Sequence, residues 1–178
     1  MQSRYQKLIG IALLACGFTA TAFENAVDFT GTWVRYRSTF EAGAGFEEAD
    51  AKEMVLVIGQ TGIALEIETR QSWSNRTNIV KQSFTLDGVE NRNQTDDGKG
   101  VLKAKARLRG SKIVIEGAEQ YASLGADFNF KRELSLSKAG DQLTMKTTRN
   151  SRREQWVIEH AFAKRRAKDI SAGKIERH

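Results

Sequence analysis

Apolar residues recur at every second position through most of this 178-residue chain, in short runs broken by Gly, Asn and Asp. Successive side chains of a strand point to opposite faces, so this spacing marks strands buried on one face; a helix would repeat near every 3.6 residues. Nine segments carry the pattern: Phe29 to Arg37, Glu53 to Gln60, Ile63 to Gln71, Thr77 to Leu86, Val101 to Leu108, Lys112 to Gln120, Asp127 to Ser137, Gln142 to Arg149 and Glu154 to Phe162. Thr61-Gly62, Asp87-Gly88, Gly110-Ser111, Gly125 and Ala139-Gly140-Asp141 read as turns between them. The polar stretch Asn91 to Lys99 is a long hairpin connection or a short edge strand. Glu154 to Phe162 is rich enough in helix formers that a helix is its alternative. Phe40 to Ala51 reads as a loop running into a helical turn at Glu47 to Lys52. A meander of this length removes its edges by closing, which predicts an all-β fold: an antiparallel up-and-down barrel or strongly curved sheet of about eight to ten strands.

The first 22 residues do not fit that pattern. Arg4 and Lys7 precede the apolar run Leu8 to Phe18, too short to span a bilayer, and Ala20-Thr21-Ala22 offers small residues at a cleavage site. Residues 1–22 are therefore expected to be a signal peptide, with Phe23 the first mature residue and a periplasmic or secreted destination. The alternative takes Leu13-Leu14-Ala15-Cys16 as a lipobox, with Cys16 acylated. Cys16 is the only cysteine, so cleavage after Ala22 leaves no thiol for a disulfide, a thiolate zinc site or a nucleophile. With two histidines in the whole chain, no metal site is expected.

Loss of Arg4 and Lys7 takes the formal net charge from +6 to +4. From Lys146 to His178 there are ten Lys or Arg and four Asp or Glu, so positive charge concentrates at the C-terminal end. The domain reading is a signal peptide at 1–22, a barrel at 23–163 and a basic tail at 164–178. Such a tail is a solvated extension, or contacts an anionic envelope component such as lipid or lipopolysaccharide; nucleic acid is not an expected partner of an exported protein. No transmembrane segment is expected in the mature chain.

The segment Asp28-Phe29-Thr30-Gly31-Thr32-Trp33 resembles the G-x-W opening of lipocalins and lipocalin-like calycin barrels. Val55 to Gly62, Leu86 to Gly88, the hairpin LSKAGDQL at 136–143 and the strand ending Ala163-Lys164 follow in an order similar to bacterial exported lipocalin-like proteins. The resemblance implies that Trp33 packs at the closed end of a barrel whose interior binds a small molecule. Some calycin barrels, such as nitrobindin, hold haem through a His near the C-terminal end, where His160 lies here. Residues 31–40 (GTWVRYRSTF) depart from the Gly-rich opening of that group, so neither haem nor another cofactor is expected.

Alternation also assigns faces. Arg132 shares one with Phe128, Phe130, Leu134 and Leu136; His160 with Trp156, Ile158 and Phe162; Gln82 with Val80, Phe84 and Leu86; Glu119 with Ile113, Ile115 and Gly117. Exposing Arg132 would expose its Phe and Leu neighbours too, and each buried one is worth about 1.5–3 kcal/mol. Arg132, Glu119, His160 and Gln82 are therefore expected inside, with Phe128, Phe130 and Trp156 beside them as candidate ligand contacts. Arg132 and Glu119 either neutralise each other, reach solvent at the mouth, or orient a polar head group. Ala104, Ala106 and Gly117 point to unfilled volume or to a space taken by a neighbouring aromatic.

Three functions fit: an exported non-catalytic barrel binding a small apolar or amphipathic ligand, which is favoured; an envelope structural or interaction protein using its basic end; and an enzyme with His160 or Glu119 as base and Arg132 as clamp. No nucleophile elbow, phosphate loop or metal motif supports the last, and no catalytic residue is assigned.

Overall fold

A computed structural model of the chain describes residues 27–41, 51–122, 126–151 and 154–165. The expected signal peptide, residues 47–50 of the helical turn expected at Glu47 to Lys52, and the tail beyond Arg165 lie outside the described residues; Ala51 and Lys52 are not helical. Ten strands form one antiparallel sheet: β1 (Gly31–Glu41), β2 (Glu53–Thr61), β3 (Ala64–Ser72), β4 (Thr77–Thr85), β5 (Asp87–Gln94), β6 (Val101–Arg109), β7 (Lys112–Tyr121), β8 (Ala126–Leu136), β9 (Gln142–Asn150) and β10 (Gln155–Lys164). Nine of them match the period-two segments. The tenth, β5, starts at Asp87, where the sequence reads as a turn; Gly88 at φ 84° and a register shift between Asp87 and Glu90 let the strand begin in the turn. The segment from Glu154 is strand rather than helix, since its alternation pairs it with both β9 and β1.

Strand order is β4-β3-β2-β1-β10-β9-β8-β7-β6-β5, an up-and-down meander curled into a nearly closed barrel. The seam lies between β4 and β5, where side-chain amides take the place of a ladder. Asn93 accepts from the Ser83 N–H (2.8 Å) and donates to the Ser83 carbonyl (2.9 Å). Asn91 accepts from the Thr85 N–H (3.1 Å), and Asn78 donates to the Asp96 carbonyl (3.0 Å).

The two ends of the barrel differ. Tight turns at Thr61–Ile63, Leu86, Gly110-Ser111 and Ser137–Asp141 close one end, where Trp33 is fully buried and donates to the Phe29 carbonyl (3.0 Å). Phe29, Leu56, Ile58, Leu65, Phe84, Ile113, Leu134, Leu143 and Phe162 join it in the core. The Thr95–Gly100 connection lies at the other end, as do Phe40, Tyr121, Phe128 and Trp156. Tyr121 meets Phe128 edge to face at 5.9 Å, and Phe128 meets Trp156 at 5.5 Å.

Gly117 does not leave the space that its small neighbours indicated. A Cβ there would fall 1.9 Å from the Lys103 carbonyl oxygen and 2.8 Å from the Ala104 Cβ, so β6 and β7 approach too closely for any side chain.

Candidate functional site in the barrel interior

Strand alternation carries the polar residues inward with the apolar ones. Glu119 and His160 are 1% exposed, Gln82 also 1%, and Arg132 2%. Phe130 is buried, while Phe128 and Trp156 are half-buried at the mouth.

Of the alternatives open for Arg132 and Glu119, mutual neutralisation is not what the pairing shows. Arg132 projects from β8 and pairs through Nη2 with Asp96 Oδ2; its Nη1 and Nε donate, each at 3.4 Å, to Gln82 Oε1 and Thr147 Oγ1. Glu119 on β7 instead receives Arg149 in a two-pronged pair, Nε to Oε2 at 2.8 Å and Nη2 to Oε1 at 3.1 Å. Arg149 Nη2 also reaches Asp96 Oδ2 at 3.2 Å, joining the two pairs into one buried cluster. Register explains the exchange: Arg132 lies opposite Ile115 on β7, whereas Phe130 pairs with both Gly117 and Arg149, bringing Arg149 toward the Glu119 end. The guanidiniums lie over the Phe130 ring at 4.9 Å for Arg132 and 5.9 Å for Arg149.

Two members of the cluster, Asp96 and Arg149, escape the sequence reading. Asp96 sits in the turn after β5, where no alternation exists to give it a face. The turn folds inward because Thr95, fully buried, accepts from the Gly100 N–H (2.8 Å) and donates to Asp97 (2.6 Å). Arg149 shares parity with Leu143, Met145 and Thr147, a signal present in the sequence but masked by its place in the basic C-terminal run.

His160 on β10 is not hydrogen-bonded to the cluster, although the charges of Arg132, Asp96 and Arg149 all act on its ring. Its Nδ1 is 2.9 Å from Ser38 Oγ, and its ring stands between Phe40 (6.4 Å) and Phe162 (6.1 Å). A bulge between Arg35 and Arg37 switches the parity of β1, so that Ser38 shares the inner face with Trp33. Burial, reinforced by the positive charge of Arg35 and Arg132, pushes the imidazole pKa down to about 4, and the ring is neutral at neutral pH. Its Nε2 is buried with no hydrogen-bond partner, and so are both polar atoms of the Gln71 side chain on β3. Gln71 also borders a cleft of about 220 Å³ at the mouth, with Trp73, Arg76, Asn78, Asp97 and Lys99. Among the described residues, no three His, Cys, Asp or Glu come together as a metal site requires, and no helix is long and apolar enough to cross a membrane.

Neither a protein-family model nor a curated protein matches the sequence. The fold is similar to that of a fatty acid transporter described as REP1-NXSQ, with a TM-score of 0.58 and 18% identity over 79% of this chain and 98% of that one. It is also similar to the zebrafish ileal bile acid-binding protein complexed with cholic acid (TM-score 0.51, 18% identity, 77% and 98% covered). Fatty-acid-binding protein 1 of Echinococcus granulosus is a third such neighbour (0.50, 16%, 76% and 96%). At these identities the likeness is one of fold: all are calycin-type β-barrels.

Proposed function

We propose that the protein is a non-catalytic carrier that holds one small apolar or amphipathic molecule inside the barrel. The observation that carries this reading is the set of buried polar atoms without partners, His160 Nε2 and the Gln71 carboxamide. Leaving such a group unpaired costs about 1–3 kcal/mol; the Phe40 and Phe162 rings beside His160 offer it no partner, and the Gln71 carboxamide borders the cleft at the mouth. A guest with a polar atom among apolar ones satisfies both kinds of surface. The neighbours named for fatty acids and for cholic acid support a guest of this size and character.

An enzymatic role for His160, Glu119 and Arg132 has less support. Both Glu119 oxygens receive Arg149, and an imidazole with a pKa near 4 is a weak base.

In this reading the carrier works outside the cytoplasm, after cleavage behind Ala22, and its basic end at 164–178 meets an anionic envelope component. An intact mass starting at Phe23 would support export by that route, and a diacylglyceryl-modified Cys16 would replace it with membrane anchoring. Native mass spectrometry of the full chain, purified from its own source without detergent, should show one bound molecule of a few hundred daltons, shed on collisional activation. Protein that carries no guest, and takes none from a lipid extract, would overturn the carrier role.

A further inference from the structure

Among the described residues, the fully buried charges of the interior balance in sign. Arg132 and Arg149 face Asp96 and Glu119, two positive groups against two negative, all within 5% exposure. Asp96 is the shared member. Its Oδ2 takes both guanidiniums, its Oδ1 receives Gln82 Nε2 at 3.3 Å, and its carbonyl receives Asn78. The turn behind it is braced by Thr95, so the carboxylate is held from β4, β8 and β9 at once.

We propose that Asp96 is a specificity-determining residue: by occupying Arg132 and Arg149 it commits the barrel to an uncharged guest bearing a hydroxyl or carbonyl group, and against a carboxylate. This rests on the carrier role.

Like charges repel strongly where water is excluded, so a carboxylate beside this balanced cluster adds an unpaired negative charge to a low-dielectric interior. It would otherwise have to expel Asp96, leaving that carboxylate to find new partners. An uncharged polar group meets neither obstacle. The groups without partners, His160 Nε2 and the Gln71 carboxamide, are themselves neutral donors and acceptors, suited to a hydroxyl or carbonyl. Arg35 on β1, whose charge also reaches the His160 ring, is half-buried and already donates to the Ala51 carbonyl, so water screens it more than it screens the cluster.

The test uses the delipidated full chain at neutral pH, loaded with the uncharged dye Nile red, which is then displaced by dodecan-1-ol or by dodecanoate. The two probes share a chain and differ at the head. The alcohol should displace the dye at about tenfold lower concentration or less. Asp96→Asn keeps the shape and removes the charge, and should shift the alcohol-to-acid ratio toward the acid by a similar factor. Dodecanoate displacing as well as the alcohol in the wild type, or an unmoved ratio in a folded Asp96→Asn, would overturn the inference; if that variant fails to fold, the wild-type ratio decides. Dye bound but displaced by neither probe overturns the inference and leaves the carrier role standing, whereas a chain that binds neither dye nor probe overturns both.

Discussion

The carboxamide of Asn93 substitutes for a peptide group toward Ser83, accepting from its N–H and donating to its carbonyl at 2.8 and 2.9 Å. This pair of hydrogen bonds, with Asn91 on Thr85, holds the seam between β4 and β5 without a backbone ladder. Asn93→Ala removes both contacts and should cost about 1–2 kcal/mol, at roughly 1 kcal/mol for each net hydrogen bond. Hydrogen exchange gives the sharper readout. The Ser83 amide should lose protection in the variant while amides in the β1–β10 ladder keep theirs; unchanged protection at Ser83 would mean that the seam is held by something else.

His160 gives the barrel a pH dependence whose sign follows from its lowered pKa. Between about 4 and the ordinary value of 6.5, the unfolded chain binds a proton that the folded chain refuses, so stability falls as pH is lowered through that window. The full loss, reached below pH 4, is on the order of 3 kcal/mol. Denaturant titrations at pH 7 and near pH 4.5 should show it, and His160→Gln should flatten this part of the profile. A wild type equally stable at both values would contradict a neutral buried ring.

Arg149→Met leaves Glu119 buried without its two-pronged partner and takes one of two guanidiniums from Asp96. Breaking a buried pair from one side typically costs about 3–5 kcal/mol, because the remaining charge stays uncompensated. Arg149→Met with Glu119→Gln should recover much of that loss, and a double-mutant cycle in urea measures the coupling directly. Additive losses would show that the pair does not act as one.

Gly117→Ala tests the contact between β6 and β7. The methyl group would meet a main-chain oxygen that no rotamer change can move. Destabilisation should lie at the upper end of the roughly 1–3 kcal/mol typical of overpacking. A neutral thermal scan would show that the two strands can part.

How much of this was legible in the sequence depends on where each residue sits relative to regular strand. Arg132, Glu119, His160 and Gln82 interrupt apolar alternation, and alternation fixes a face even when the residue on it is charged; all four are inside. Their partners were not readable in the same way. Asp96 belongs to a turn, which has no period, and Ser38 follows a bulge that reverses the parity of β1. Arg149 had the right parity but stood among charges that solvent would equally explain. Trp33 packs at the tight-turn end, as the G-x-W opening implied. The start of β5 was hidden because Asp87-Gly88 is turn chemistry and strand at once. Pairing across the barrel depends on register summed over several strands, which no local pattern records.

The β1–β10 pairing has a mechanical consequence. The two strands are antiparallel neighbours, and the Arg165 N–H donates to the Thr32 carbonyl at 2.8 Å, so the chain enters and leaves the barrel side by side. Tension applied at Gly31 and Lys164 peels that ladder one hydrogen bond at a time, where a shearing load would meet all of them together. Pulled this way, the barrel unzips at low force from the Trp33 end, opposite its mouth, and the first rung to part is the hydrogen bond from the Arg165 N–H to the Thr32 carbonyl.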